Sequence, residues 1–459
     1  MLIIVKKNFY ANSVEVSNSL SIINSDLQYR FALLIFPIFG FLLKTMKIFK
    51  FFLVFLFSVF ALTLVNAQSK NLDYYLLEGT KNSPLLKDYS NQLLSNNIES
   101  LKLIANYKPK VNLYGSFMYA PIINGYGYDN AITNGGLYSS VLSVSQDFTF
   151  KKTKEAEMQQ VLLNGKSVGV SKQLSEHDLR KNIVDAYVAA YSFQEQYKFE
   201  NSIYNMLQSE EIILNKLLNK GIYKLSDYLN FKIELQTEQI NTMQFHQNLK
   251  KSISELNLIC GISDTSEIAL DKPLVVKNNS SNSFSNPFFM QFKTDSLKIS
   301  NAKDLIAVNY KPKLNWFADA GLNSASYNLI YQHFGSSFGL NFSMPIYDGK
   351  QRQLEEQKLK IAEDTRMDYK NFFLNHHAAE IASIESEVEA NNIIRQQLKD
   401  QLKTSQTLIN VSKQQLEQGT IVITDFVLAV KNQLSIQAQL NQNQLKKLSL
   451  INELNYWNW

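Results

Sequence analysis

One pattern occurs twice along this chain, and the length of the repeat limits what the chain can fold into. Lys-Gly-Ile-Tyr-Lys-Leu-Ser-Asp at Lys220–Asp227 returns as Gln-Gly-Thr-Ile-Val-Ile-Thr-Asp at Gln418–Asp425, an offset of 198 residues. Glu255-Leu256-Asn257 returns at Glu453-Leu454-Asn455 with the same offset, and Asn106-Tyr107-Lys108-Pro109-Lys110 returns at Asn309-Tyr310-Lys311-Pro312-Lys313. A period this long means two similar structural units rather than a solenoid of small repeats. Each unit reads as a helix, two amphipathic strands and a very long helical hairpin. The expected units are 68–286 and 287–459.

The strands announce themselves by alternation. Val111, Leu113, Gly115, Phe117 and Tyr119 share one face. In the second segment Leu142, Val144, Phe148 and Phe150 oppose Ser139, Ser143, Ser145 and Asp147. In the third, Leu314, Trp316, Ala318, Ala320 and Leu322 oppose Asn315, Phe317, Asp319 and Asn323; in the fourth, Phe338, Leu340, Phe342 and Met344 oppose Ser337, Gly339, Asn341 and Ser343. Segments of roughly ten residues with one apolar and one small or polar face fit a transmembrane barrel. Alternation also fits a soluble sheet packed on helices. Four strands cannot close a barrel, for which about eight are needed, so a barrel would be shared between chains.

The helices are longer than a small core can use. The proline-free stretches Lys152–Asn219 and Gln351–Gln418 each reach roughly 100 Å at about 1.5 Å per residue. Each is followed by a glycine turn and a returning helix, Ser226–Cys260 or Thr424–Tyr456. Such helices need lateral neighbours, as in a coiled coil or a helical tube. Gly221 and Gly419 fit the left-handed position that ends a helix. Ser226 and Thr424 fit the N-caps of the returning helices, with Asp227 and Asp425 in the first turns. Capping does not explain apolar residues at an exposed tip: Ile222 and Tyr223, and Thr420-Ile421-Val422-Ile423. These point to a partner surface.

Met46-Lys47-Ile48-Phe49-Lys50, the apolar run Phe51–Val65 and Val65-Asn66-Ala67 before Gln68 form a secretory signal peptide over 46–67. Met46 then reads as the start, with 1–45 a start-site artefact or an unusual leader. Residues 31–65 used as an inner-membrane anchor are the competing reading. No later stretch approaches 18 apolar residues, so a membrane span after the leader has to be a barrel. Residues 1–67 hold six Lys/Arg and two Asp/Glu, which leaves 40 against 39 from totals of 46 and 41, a net of +1. The basic balance thus belongs mostly to the leader, and no basic stripe interleaved with aromatics points to nucleic acid.

The single cysteine, Cys260, excludes an intrachain disulfide and reads as a buried thiol. The histidines, His177, His246, His333, His376 and His377, include no pair spaced four apart on a helix, and no catalytic elbow or phosphate loop occurs. No enzyme, cofactor or metal site is expected.

In this order the segments resemble the TolC-type outer-membrane efflux proteins over nearly the whole chain after the leader. Gln418–Asp425 is similar to that family's tip motif, Met344-Pro345-Ile346-Tyr347-Asp348-Gly349 to its strand-to-helix junction, and Asn82-Ser83-Pro84-Leu85-Leu86 to its N-terminal helix. The resemblance implies a mainly α fold with a transmembrane β-barrel. Long helical hairpins would form an α-helical barrel, and four strands per chain would complete a 12-stranded barrel in a homotrimer. It implies an exit duct set in outer-membrane lipid and extending into the periplasm, serving efflux or type I secretion. Its implied partners are a periplasmic adaptor and an inner-membrane pump of RND, ABC or MFS type. The alternative is a periplasmic coiled-coil scaffold or adaptor without a pore.

The resemblance also assigns residues. Asp425 matches an acidic ring at the periplasmic mouth, where three carboxylates would favour cations. The second acidic position is Leu428 here, the linking arginine is Ile421, and the linking tyrosine is Leu416. Asp227 matches the acceptor of links whose partners are replaced, so apolar packing of Leu416, Ile421 and Leu428 is the substitute gate. The adaptor-docking tips would be Gly221, Ile222, Tyr223 and Ser226 with Gly419, Thr420, Ile421 and Thr424.

Overall fold

Two elements of the chain, α2 (Pro84–Asn106) and α5 (Pro287–Asn309), are helices of 23 residues that each begin on a proline and are each followed by a strand. The same series runs on from both. In this computed structural model the described residues are 70–459, except 130, 131, 134, 265, 267, 279–285 and the side chain of 329. The leader and signal-peptide expectations over 1–45 and 46–67, and the anchor reading of 31–65, lie outside the described residues. From α2 the series continues through β1 (Lys110–Tyr119), β2 (Gly136–Phe148), α3 (Lys151–Asn219) and α4 (Leu225–Ile259). From α5 it continues through β3 (Lys313–Ser324), a short 3-10 helix (Tyr327–Gln332), β4 (Phe334–Ser343), α6 (Gln351–Glu417) and α7 (Ile423–Trp457). One further helix, α1 (Leu72–Asn82), precedes the first series.

The four strands form one antiparallel sheet in the order β1-β2-β3-β4. β2 and β3 pair although the whole first hairpin and α5 separate them in the chain. The register aligns the alternating faces of all four strands. Val111, Val144, Ala318 and Phe338 form one row across the sheet, and Leu113, Leu142 and Ala320 lie in the next. One side of the sheet is therefore predominantly apolar, interrupted by Ser140, Gln146 and Ser336. The other carries Asn112, Ser143, Ser145, Asp319, Ser337 and Asn341, with the Phe317 ring lying over Gly339. Phe150 and Met344, which alternation puts on the apolar face, fall just beyond the strand ends; Phe150 is the extended residue that starts α3.

Heptads organise the long helices. In α6 the buried residues Ile384, Asn391, Leu398, Ser405 and Ser412 recur every seventh position, and the same spacing recurs in α3 at Glu200, Leu207 and Leu214. A strict seven-residue repeat keeps one seam facing the partner and winds the helices left-handedly. Along the α6–α7 seam, the Asn391 and Asn443 side-chain amides each donate to the other's backbone carbonyl at 3.3 Å.

About midway along α3, where α4 ends, α1 packs against the base of the first hairpin. Tyr75, Ile183, Tyr187, Leu256 and Cys260 form this core. Cys260 is fully buried, as its apolar setting predicts, and burial pushes its thiol up to about 11. The chain's last residues are held by both hairpins: His177 Nε2 on α3 and His377 Nε2 on α6 donate to the carbonyls of Tyr456 and Trp457, each at 2.9 Å. The carbonyl acceptors fix the proton of each ring on Nε2.

Candidate functional site

Each hairpin turns through the same backbone device. Gly221 (φ +74°) and Gly419 (φ +70°) take the left-handed conformation that a side chain disfavours. Gly221 N–H donates to the Leu218 carbonyl and Ile222 N–H to that of Leu217; Gly419 and Thr420 repeat this with Leu416 and Gln415. These paired bonds satisfy carbonyls that a helix end leaves open.

The expected N-caps are corrected. The returning helices start from Lys224 and Val422, both extended, and neither makes a side-chain capping bond. Ser226 and Thr424 already lie inside α4 and α7, one residue past their starts. The backbone sets this: Asp227 and Asp425 N–H groups already donate to the Lys224 and Val422 carbonyls at 3.1 Å, and Ile423 at the start of α7 is buried in the tip core. Hydroxyl type alone misplaced the cap.

The two tips pack on one another within the chain. Phe231, Leu214, Leu416, Ile423 and Phe426 are fully or almost fully buried in a shared core, with Tyr223, Tyr228 and Ile421 packed around it. Ile222 seats on Gly419, where an added Cβ would come within 2.6 Å of its methyl. Tyr223 Oη stands 3.0 Å from both the Leu416 and the Ile421 carbonyls, so one hydroxyl of the first tip bridges the second. Tyr223→Phe is expected to lower stability by about 1 kcal/mol and to raise hydrogen exchange at the Gly419 and Thr420 amides. Unchanged protection there would reject the bridge.

Of the residues matched to a gate, Leu416 is wholly enclosed by its own chain and Ile421 is partly so, while Asp425 and Leu428 are exposed and Asp227 is half-buried. Leu428 does not join Leu416 and Ile421. Among the matched tip positions, Gly221, Ile222, Ser226, Thr420 and Thr424 are exposed. An apolar stripe continues up the outside of α4 through Leu225, Leu229, Ile233 and Ile240, all 49–60% exposed. Sequence reading missed it, although its spacing of four, four and seven was the available signal.

Above the tips the hairpins are joined by polar contacts. Lys413 on α6 pairs with the fully buried Glu210 on α3 at 2.6 Å, and Lys431 on α7 pairs with Glu234 on α4 at 2.9 Å. Near them lies a carboxyl pair, Glu200 and Glu238, 5% and 1% exposed. Gln196 donates to Glu200, Asn441 on α7 donates to Gln196, and Asn241 donates to Glu238 at 3.3 Å. Glu238 Oε1 is buried with no donor to accept from. Burial first, then the Glu200 carboxylate beside it, push the Glu238 carboxyl up to about 8.

The apolar side of the sheet is bare. Leu113, Phe117, Phe338 and Phe342 are 68–91% exposed, and no helix packs broadly across them. β1 and β4 are outer strands, each with one unpaired backbone edge of ten residues. Among the described residues no helix is long and apolar enough to cross a membrane, and no cluster of His, Cys, Asp and Glu is placed to hold a metal ion.

No known family profile and no curated protein matches this sequence. Solved structures do match in fold. The Campylobacter jejuni CmeC outer membrane channel aligns with a TM-score of 0.69 at 12% identity, covering 85% of this chain and 86% of that one. The open-state Neisseria gonorrhoeae MtrE outer membrane channel gives 0.69 at 10% identity, over 84% and 88%. CusC, described in terms of transmembrane channel formation, gives 0.68 at 13% identity, over 84% and 92%. The chain has the fold of these outer-membrane channels: mainly helical, with a small four-stranded antiparallel sheet.

Proposed function

We propose that the chain is the outer-membrane exit duct of a tripartite efflux pump or type I secretion system, passive in itself. The observation that carries this is the sheet. A predominantly apolar, aromatic-rich face with two unpaired edges is untenable in water, because open edges and bare aromatics drive aggregation. The same sheet is stable when copies pair edge to edge and the apolar face meets lipid. Three copies of four strands close a barrel of twelve. The apolar stripe of α4 then lies against a neighbouring copy, and the helices continue the barrel as a water-filled tube through the periplasm. The likeness in fold to outer-membrane channels supports the same reading. A pore-free scaffold leaves the apolar face without a role.

The hairpin tips close the periplasmic end. We assign the constriction to Asp425, exposed on the first turn of α7, with Leu428 one turn on and Asp227 on the equivalent turn of α4. Leu416 and Ile421 stiffen the tip from within. The exposed tip residues, Gly221, Ile222, Ser226, Thr420 and Thr424, are the surface for a periplasmic adaptor, which couples the duct to an inner-membrane pump. The test is single-channel conductance of the purified trimer in a planar bilayer. A pore is expected, and Asp425→Ala should weaken its cation preference and its block by divalent ions. A pore indifferent to the substitution removes Asp425 from the gate. No pore from folded trimer removes the duct.

A further inference from the structure

A groove of about 210 Å³ lies between α3, α6 and α7, roofed by the linker between the two series at Lys272 and Pro273. Its floor is apolar, formed by Leu440, Leu445 and Leu448 of α7 with Val188 of α3. Its rim is cationic. Arg395 and Lys399 stand one helical turn apart on α6, and Lys272 faces them from the linker. Arg395 Nε is buried without a hydrogen-bond partner, and the Gln444 side-chain oxygen is buried and unpartnered as well. Glu195 is the one carboxylate in the lining, and it bonds Lys198 at 2.8 Å. The positive charge of this groove is thus not neutralised within the described chain.

A second sign of the imbalance comes from outside the groove wall. Lys447 on α7 donates to Asn392 at 2.7 Å, and burial together with the like charges of Arg395 and Lys399 holds its ammonium below the usual lysine range. Arg395 is half-buried with its Nε unpartnered, so an anion entering beside it relieves a desolvation cost there, and Lys272 and Lys399, exposed at the mouth, add attraction. The volume far exceeds the roughly 10–15 Å³ that one water requires. The leucine floor favours a ligand with a hydrocarbon body over a bare ion.

We propose that this groove binds a small amphiphilic anion, a phosphate or carboxylate head on a short alkyl body. The head sits among Arg395, Lys399 and Lys272, and the body lies on Leu440, Leu445 and Leu448. Because the lining comes from both series and the linker between them, an occupant ties the two halves of the chain together. This reading does not depend on the pore.

The test is titration calorimetry of the full-length protein in an uncharged maltoside detergent, with hexyl phosphate as the probe and inorganic phosphate beside it. Saturable binding of hexyl phosphate at one site per chain is expected. Inorganic phosphate should bind about tenfold or more weakly, since it leaves the floor uncovered. R395Q combined with K399Q should weaken hexyl phosphate about tenfold or more, the scale of removing charge partners from a partly buried site. K272Q, on the exposed linker, should weaken it less and decides the matter if the double variant does not fold. Hexyl phosphate that fails to saturate, or binding unmoved by K272Q and the double variant, overturns the site. Equal affinity for inorganic phosphate overturns the amphiphile.

Discussion

Phe338→Arg is expected to remove the chain from the outer membrane, while Ser337→Arg, one residue away, leaves insertion intact. Adjacent strand residues face opposite sides. Phe338 is in the middle of β4, 91% exposed, on the apolar row with Val111, Val144 and Ala318. If that face meets lipid, an arginine near the bilayer midplane costs about 2–4 kcal/mol per chain, and a trimer carries it three times. Ser337 faces the other way and pairs across the ladder with Asp319. Asp319 Oδ1 is buried with no partner, so an arginine at 337 meets an opposite charge directly across the strand pair. Outer-membrane fractionation and heat-modifiable trimer migration read both variants. Equal damage from the two, or no damage from Phe338→Arg, would show that the apolar face does not meet lipid.

That contrast marks what local sequence carries and what it does not. Alternation identified the residues sharing a face on each strand, because the pleat enforces a period of two whatever the surroundings. It could not give the β2–β3 register, since pairing of strands so far apart is decided by where the first hairpin returns the chain. Gly221 and Gly419 were legible as turn residues because their backbone conformation excludes most others. The caps at Ser226 and Thr424 were misread because a hydroxyl is only one way to start a helix, and burial of Ile423 set the start of α7. Leu416 illustrates a further limit. The resemblance matches it to a residue that links neighbouring helix pairs in that family, but its apolar side chain is enclosed at the centre of its own tip. Nor did sequence mark the Arg395–Lys399 groove, whose lining comes from three helices and a linker.

The second large effect concerns Glu238. In the folded chain its carboxyl, buried beside Glu200 at the α3–α4 seam, holds a proton up to about pH 8; the unfolded chain releases it near its ordinary value of 4.5. Between those two values the native state binds more protons than the unfolded state. Stability is therefore fully present below about pH 4.5 and falls as pH rises toward 8. Glu234 on α4 adds a like charge to the upward push, and the lysines nearby, Lys431 and Lys413, are already paired with Glu234 and Glu210. A buried carboxyl shifted this far changes stability by a few kcal/mol at about 1.4 kcal/mol per unit. Glu238→Gln keeps the shape and hydrogen-bonding capacity of the protonated form without the titration. It is expected to match the wild type at about pH 5 and to unfold at markedly higher urea concentration at about pH 8.5, with the wild-type slope between them largely abolished. A parallel pH dependence in both proteins would mean that Glu238 is not held protonated at the seam, and that the seam is held by its neighbouring amides and ion pairs alone.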